Sequence, residues 1–265
     1  MQARLSSLLV QAVFGLLIIN LFSMRSFGQT VFIAHRGESG LAPENTLAAF
    51  RLAWDLNADA VELDIHGSKD NRVMVIHDGN TKRTSGKDLE VKNTVSDDLR
   101  KLDVGLFKDS AYRNEKIPFL EEAIALIPQN KKLVIEIKSG EDVLPALEKI
   151  VTASGKKEQL VFIAFDWNTI LETKKLFPEN RCYWLSNNKK EVLEKMEDVA
   201  AAGLTGLDLH FLVIYEALMQ KARQLNLDVI AWTVDNPVEA KRLSDLGVKS
   251  ITTNRTGWLR SQMTE

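Results

Sequence analysis

From Val31 onward, short apolar runs alternate with stretches whose apolar residues recur every three to four positions. The runs predict strands over 31–35, 60–66, 73–78, 132–138, 160–166, 181–186, 205–210, 228–234 and 250–254. The stretches between them predict helices over 46–57, 119–127, 143–153, 169–177, 191–201, 215–225 and 237–246. Local punctuation agrees. Asn236 can cap a helix that Pro237 begins, and Gly155, Gly203 and Gly247 stand where helices should stop.

Nine strands is one too many for an eightfold barrel, and one short link resolves this. Only Gly67-Ser68-Lys69-Asp70-Asn71-Arg72 separates the second run from the third. A parallel crossover needs a dozen or more residues, so these two runs must form an antiparallel hairpin turning near Asp70-Asn71. Eight strands remain, most followed by a helix. The fold expected is α/β, a (β/α)8 TIM barrel with a β-hairpin after its second strand. A turn at that point brings His77 back opposite Asp64, within a residue. Residues 79–116 are rich in Gly, Lys, Asp, Thr and Ser, with a short apolar set at Leu99, Leu102, Val104, Leu106 and Phe107. They are expected to form an inserted segment at the barrel mouth.

The length, 265 residues with 45% hydrophobic content, suits one such barrel. The N-terminus reads differently. Arg4 precedes an apolar run from Leu8 to Phe22, and Ser26-Phe27-Gly28 places small residues before Gln29. This predicts a signal peptide over 1–28, one barrel domain over 29–265, and an exported protein, periplasmic or secreted. The run is short for a membrane span, so no stable membrane insertion is expected after cleavage. Losing Arg4 and Arg25 takes the 34 basic residues to 32 against 36 acidic ones, and the formal charge from -2 to near -4. With basic residues dispersed, nucleic-acid binding has no support. The lone cysteine, Cys182, excludes an intramolecular disulfide framework and reads as a small buried hydrophobe. Nothing in the sequence sets an oligomeric state.

Polar residues at strand ends are the candidate chemistry. Glu62 and Asp64 share a face of one strand, and Glu136 and Lys138 share a face of another, because the strand period is two. Three facing carboxylates repel unless protonated or bound to a cation, and all-oxygen ligation suits one hard divalent ion, Ca²⁺ or Mg²⁺. The plainer alternative pairs each acid with Lys138 or Arg36. His35 and His77 end strands and can divide general acid and base work. Arg36 and Lys138 would meet an anion, with phosphate the natural choice. Glu44-Asn45-Thr46 opens a helix at the mouth, where Glu44 is a substrate contact or a charge at a helix start. Trp232 is core or the wall of a substrate pocket. His66 and His210 are weaker candidates to line it.

These residues fall in motifs that resemble the glycerophosphodiester phosphodiesterases, of the phosphatidylinositol-phospholipase-C-like phosphodiesterase superfamily. The matching text is His35-Arg36-Gly37, Ala42-Pro43-Glu44-Asn45-Thr46, Glu62-Leu63-Asp64, Ile76-His77-Asp78 and Glu136-Ile137-Lys138. Phe165-Asp166, Trp232-Thr233-Val234 and Thr252-Thr253-Asn254 follow in order. The resemblance implies a metal-dependent hydrolase cutting a small-molecule glycerophosphodiester to an alcohol and glycerol 3-phosphate. It implies Glu62, Asp64 and Glu136 as metal ligands and His35 and His77 as the acid–base pair. Arg36, Glu44, Lys138 and Trp232 are the implied substrate contacts. The implied chemistry runs through attack of the glycerol 2-hydroxyl on phosphorus and opening of a cyclic phosphate by water. The sequence departs from the usual pattern at Ala164, at Gly79 and in the loosely kept Arg83-Thr84 pair. Competing expectations are a phospholipase C- or D-type lipid phosphodiesterase, a non-catalytic phosphoester-binding barrel, and a Schiff-base aldolase using Lys138.

Overall fold

Eight parallel strands close into a barrel in the computed structural model, which describes residues 30–263. In chain order the strands are β1 (Val31–Ala34), β2 (Ala60–Gly67), β3 (Val73–Val75), β4 (Lys132–Ile137), β5 (Leu160–Ala164), β6 (Arg181–Ser186), β7 (Gly206–His210), β8 (Asp228–Trp232) and β9 (Ser250–Thr253). β1 pairs in parallel with both β2 and β9, which shuts the barrel. β3 alone is antiparallel and hangs on β2. The expected (β/α)8 architecture with its extra hairpin is therefore the fold. The predicted signal peptide lies outside the described residues.

The hairpin register pairs Ile65 with Val75 and Gly67 with Val73, and the Ile76 amide donates to the Asp64 carbonyl. Ile76, not His77, thus stands opposite Asp64, within the one residue allowed. At the turn, Asn71 takes a φ of 59°, which asparagine tolerates better than most residues.

The helices are α1 (Leu47–Asp55), α2 (Lys82–Ser85), α3 (Ser96–Leu99), α4 (Leu120–Ala125), α5 (Leu144–Ser154), α6 (Trp167–Leu176), α7 (Lys189–Ala201), α8 (Glu216–Gln224), α9 (Pro237–Asp245) and α10 (Thr256–Met263). Asn236 caps α9 as expected, its side chain accepting from the Val238 and Glu239 amides. α10 was not foreseen. Its eight residues bury only Thr256 and Leu259, too few for a visible helical period.

Strand side chains alternate between two cores. Outward residues such as Val61, Leu63, Ile65, Leu133, Ile135 and Phe162 pack under the helices. Inward residues such as Ile33, Ala60, Val134, Ile163, Leu185 and Ile230 fill the barrel. Burying each large apolar side chain contributes roughly 1.5–3 kcal/mol, so this alternation fixes which face of every strand looks inward.

The segment after β3 has a small core of its own. Met74, Ile76, Val91, Leu99, Leu102, Val104 and Ile117 pack together, while Leu106 and Phe107 stay exposed. Asp70 anchors it to the hairpin turn by accepting from the Ser96 amide and hydroxyl. Lys108 ties it to the β1–α1 loop by donating to the Ser39 and Gly40 carbonyls.

Candidate active site

Strand parity sends the candidate acids inward. On β2, Ala60 belongs to the barrel core, so Glu62 and Asp64 share its direction. On β4, Val134 does the same for Glu136, which stands directly beside Asp64 in register. The three carboxylates each offer an oxygen within 4.8 Å of the others, and all are buried.

Their electrostatics are those of a site that wants a cation. Burial, Asp64 and Glu136 push Glu62 well above the usual carboxylate range. Burial and Asp64 push Glu136 up to about 7. Asp64 goes the other way. Its burial opposes ionisation, but Arg36, Lys138 and Asn45 outweigh that and hold it below its ordinary value. Asn45 grips Asp64 twice: its Nδ2 donates to Oδ2 at 2.8 Å, and its Oδ1 accepts from the Asp64 amide at 3.2 Å. The other oxygen, Asp64 Oδ1, is buried without a hydrogen-bond donor among the described residues. That oxygen has only the Lys138 ammonium near it and lies beside two crowded carboxylates, which fits a hard divalent ion, so the donor set could hold one. Lys138 Nζ sits 2.9 Å from Glu136 and 3.5 Å from Asp64, partly neutralising the cluster.

The β1–α1 loop supplies Arg36. Its backbone is left-handed, with φ 54°, a conformation costing roughly 1–2 kcal/mol for a side chain of this kind. The strain aims the Arg36 amide at Glu62 Oε2, 2.9 Å away, and the guanidinium at Glu44 and Asp64. Gly37 follows at φ 80°, and a Cβ there would lie 2.7 Å from Ala49 of α1. Glycine therefore lets α1 pack against the Arg36 turn. Thr46 caps α1, its Oγ1 accepting from the Ala49 amide, which answers the capping reading of this stretch.

Each histidine is held by Nδ1. His35 Nδ1 lies 2.7 Å from Asn254 Oδ1. The Asn254 Nδ2 donates to Asp235, so the amide oxygen faces His35, and His35 Nδ1 carries the proton. Burial and neighbouring Arg36 lower the His35 pKa. The ring is thus neutral, with Nε2 free to accept a proton. His77 Nδ1 instead meets Asp78 Oδ1 at 2.7 Å. Arg83 holds Asp78 from the other side and also spans both oxygens of Glu44. Hydrogen bonds from Arg83 and His77 overcome partial burial and bring Asp78 down to about 2, so it is an ionised carboxylate.

These groups line one cavity of about 220 Å³. His35, Arg36, Glu62, His77, Glu136 and Lys138 form one side; Ile163, Phe165, Leu185, Asp208 and Trp232 form the other. Trp232 is therefore a pocket wall, set edge-on to Phe165 and held by its Nε1 donating to the Asp208 carbonyl. Glu44 stays outside this cavity and acts on it through Arg36. A larger groove, about 640 Å³, opens beyond Lys138 past His66, Lys69 and Asp142. His66 is spent on positioning, its Nε2 against the His77 carbonyl and its Nδ1 against Ser139.

Comparison with known proteins gives this constellation a family. The profile of the Glycerophosphoryl diester phosphodiesterase family matches residues 35–258. The chain belongs to that family. It is accordingly a phosphoric diester hydrolase, related along nearly its whole length to enzymes of the glycerophosphodiester phosphodiesterase class. One, the glycerophosphodiester phosphodiesterase of Caldanaerobacter subterraneus subsp. tengcongensis, is 31% identical over 85% of this chain and 94% of that protein. A phosphodiesterase from Oleispira antarctica, solved in complex with the product sn-glycerol-3-phosphate, superposes with a TM-score of 0.78. It is 28% identical, covering 89% of this chain and 97% of that one. A glycerophosphodiester phosphodiesterase from Parabacteroides distasonis gives 0.73 at 26% identity, over 89% and 97%.

In this phosphodiesterase the sequence reading left several residues without a role. Asn254, Asp235, Asp78 and Arg83 orient the histidines, and Asn45 orients Asp64. Asp78 and Asn254 lay within recognised motifs; Asp78 meets its neighbour His77, but nothing local assigns a partner to Asn254, which meets His35 across 219 positions. Arg83, in a pair the sequence keeps only loosely, nevertheless bridges Glu44 and Asp78. Asp208 had one readable signal, a carboxylate between Leu207 and Leu209 in a strand whose alternate face is apolar.

Proposed function

We propose that this enzyme hydrolyses small glycerophosphodiesters to an alcohol and glycerol 3-phosphate, using a divalent cation and the pair His35 and His77. The observation carrying this reading is the convergence of both Nδ1-anchored histidines, Glu62, Glu136 and two cations on one cavity, with Asp64 clustered behind the two acids. Glu62, Asp64 and Glu136 would hold Ca²⁺ or Mg²⁺. When bound, the ion supplies electrophilic stabilisation of charge on the phosphoryl group. Arg36 and Lys138 bind the phosphate oxygens. His35, neutral and with Nε2 free, accepts the proton of the attacking glycerol hydroxyl. His77, braced by ionised Asp78, gives a proton to the leaving alkoxide. The roles reverse when water opens the cyclic phosphate. A non-catalytic barrel would have no use for both oriented rings, and an aldolase lysine would not need the acid cluster.

The test is turnover of glycerophosphocholine and glycerophosphoethanolamine with and without chelator. Loss on chelation and recovery with Ca²⁺ or Mg²⁺ is expected; activity indifferent to thorough chelation would remove the cation. A diester with a nitrophenolate leaving group separates the histidines. Its departure needs no acid, so release of the first nitrophenolate should be rescued in His77→Ala and not in His35→Ala, the later opening by water still needing both rings.

A second reading, a lipid diester as substrate, draws on the rim, where Leu41, Leu106 and Phe107 are exposed. Human lysophospholipase D GDPD1 is 36% identical over 118 residues, 42% of this chain and 37% of that protein. Turnover of lysophosphatidylcholine in vesicles exceeding that of glycerophosphocholine would favour it. Among the described residues, no helix is long and apolar enough to cross a membrane. Export rests on the apolar N-terminal run, and N-terminal sequencing of protein recovered outside the cytoplasm should begin at Gln29.

A further inference from the structure

The apolar side of the cavity contains a carboxyl that the chemistry above does not use. Asp208 lies in the middle of β7, in register with Leu185 and Ile230, and its side chain faces into the barrel among Ile163, Leu185 and Trp232. It is 2% exposed, and its Oδ1 is buried with no hydrogen-bond partner among the described residues. Leaving a buried carboxyl unpaired destabilises a fold, and a leucine would serve the wall better. A group kept at that cost, on the lining of a substrate cavity, is best explained by a partner that arrives with the substrate.

We propose that Asp208 is a specificity residue that receives the terminal hydroxyl of the substrate's glycerol moiety. This rests on the proposed function and names how the same site would choose glycerol. The layout of the cavity supports it. Arg36, Lys138 and the acids occupy one side, where the phosphate belongs. The other side offers hydrocarbon and aromatic surface for the glycerol carbons, and Asp208, with the Thr233 and Thr252 hydroxyls also on the lining, supplies its polar groups; of these Asp208 alone has a buried oxygen without a partner among the described residues. An ammonium head group is the competing occupant of an aromatic pocket with an acid. Burial and the nearby charge of Glu136 drive Asp208 well above the ordinary carboxylate range, toward the uncharged carboxyl. A carboxyl hydrogen-bonds a hydroxyl in either protonation state, whereas a cation needs the charged form that burial disfavours.

The experiment compares glycerophosphocholine with its analogue built on propane-1,2-diol, which keeps the attacking hydroxyl and lacks the terminal one. Wild type should prefer the glycerol substrate on the order of 100-fold in kcat/KM, because the analogue leaves the carboxyl unpaired. Asp208→Leu should lose that preference by slowing on the glycerol substrate while keeping its rate on the analogue. Asp208→Asn, which still hydrogen-bonds but cannot ionise, should retain most of the preference. The melting temperature of Asp208→Leu should equal or exceed that of wild type, since an unpaired polar group is removed; a group serving only the fold would lower it. Preference unchanged in Asp208→Leu overturns the proposal, and preference abolished in Asp208→Asn overturns it in favour of a cation. Binding is read separately, by the thermal shift from sn-glycerol 3-phosphate against the phosphate of propane-1,2-diol. If wild type turns over neither substrate yet shows this binding difference, and Asp208→Leu erases it, the hydroxyl assignment stands and the proposed reaction falls. Equal shifts from both phosphates in wild type overturn the assignment.

Discussion

The two halves of the barrel wall are built from the same alternation and do different work. From β1 through β4 the inward positions near the strand ends carry His35, Glu62, Asp64, Glu136 and Lys138, with His77 delivered by the hairpin. From β5 through β8 the matching positions carry Ile163, Phe165, Leu185 and Trp232, with Asp208 set among them. The first half is charged and tightly cross-braced; the second is shaped and mostly apolar. The contrast teaches where failure should appear. Damage to the charged half should strike the chemical step, and damage to the apolar half should strike the choice and affinity of the substrate.

The largest effects should come from the charged half. His35→Ala and His77→Ala should each lower kcat on glycerophosphocholine by roughly 10²–10⁴-fold, with circular dichroism unchanged. A near-normal rate in either would take that ring out of the mechanism. Next comes the brace. Arg83 touches Asp78 and Glu44 from outside the cavity. Arg83→Ala should cost about 10–100-fold, the usual range for groups that orient catalytic ones, mostly in kcat. An equal loss confined to KM would mean that Arg83 binds substrate itself. Trp232→Ala, on the apolar half, should raise KM about tenfold and leave kcat within about twofold. If kcat collapses instead, the division between the halves is wrong.

Two pH effects are smaller. Burial and Arg36 lower the His35 pKa, so its base form persists below the ordinary value. The acid limb of kcat/KM assigned to His35 should therefore fall below pH 6.5, and Arg36→Ala should move it upward in whatever activity remains. A limb above 6.5 in wild type would contradict the burial argument. The same lowered value means the folded chain binds that proton less readily than the unfolded one. Its contribution to stability is full above about pH 6.5 and declines as the pH falls through the folded value. Asp70 has the smallest expected effect. Partial burial opposes its ionisation, but hydrogen bonds from Ser68 and Ser96 bring it to about 2. Its contribution is present above about pH 4 and is lost as the pH falls toward 2. Because the side chain is largely exposed, Asp70→Asn should lower the melting temperature at pH 7 only slightly, and the difference should vanish near pH 2.

Several strand predictions ran past the observed C-terminal ends. The predicted runs 31–35, 73–78, 132–138, 160–166, 228–234 and 250–254 stop instead at Ala34, Val75, Ile137, Ala164, Trp232 and Thr253. The overrun contains His35, His77, Asp78, Lys138, Phe165 and Asn254. Hydrophobic patterning continues through these positions, but the ladder does not. Single bonds persist, as from the His35 amide to the Thr253 carbonyl and from the Lys138 amide to the Ile65 carbonyl, but past the regular ladder these backbones leave the strands at the barrel mouth. The overrun therefore falls at the C-terminal end of the barrel, where active sites of this fold sit.

The sequence by itself determined the barrel, the hairpin and the identity of the charged half. Strand period, the shortness of the 67–72 link and ordered local motifs are all properties of neighbouring residues. Only the tertiary structure decided which partners hold the reactive groups. His35 finds Asn254 because β1 closes against β9, and Glu44 meets Arg83 because the inserted segment folds back over the β1–α1 loop. Asp208 looked like a stray acid in an apolar strand until barrel closure set it on the wall of the cavity that Arg36 and Lys138 also line. Pairings across the closed barrel depend on which strand lies beside which, and local pattern carries no record of that.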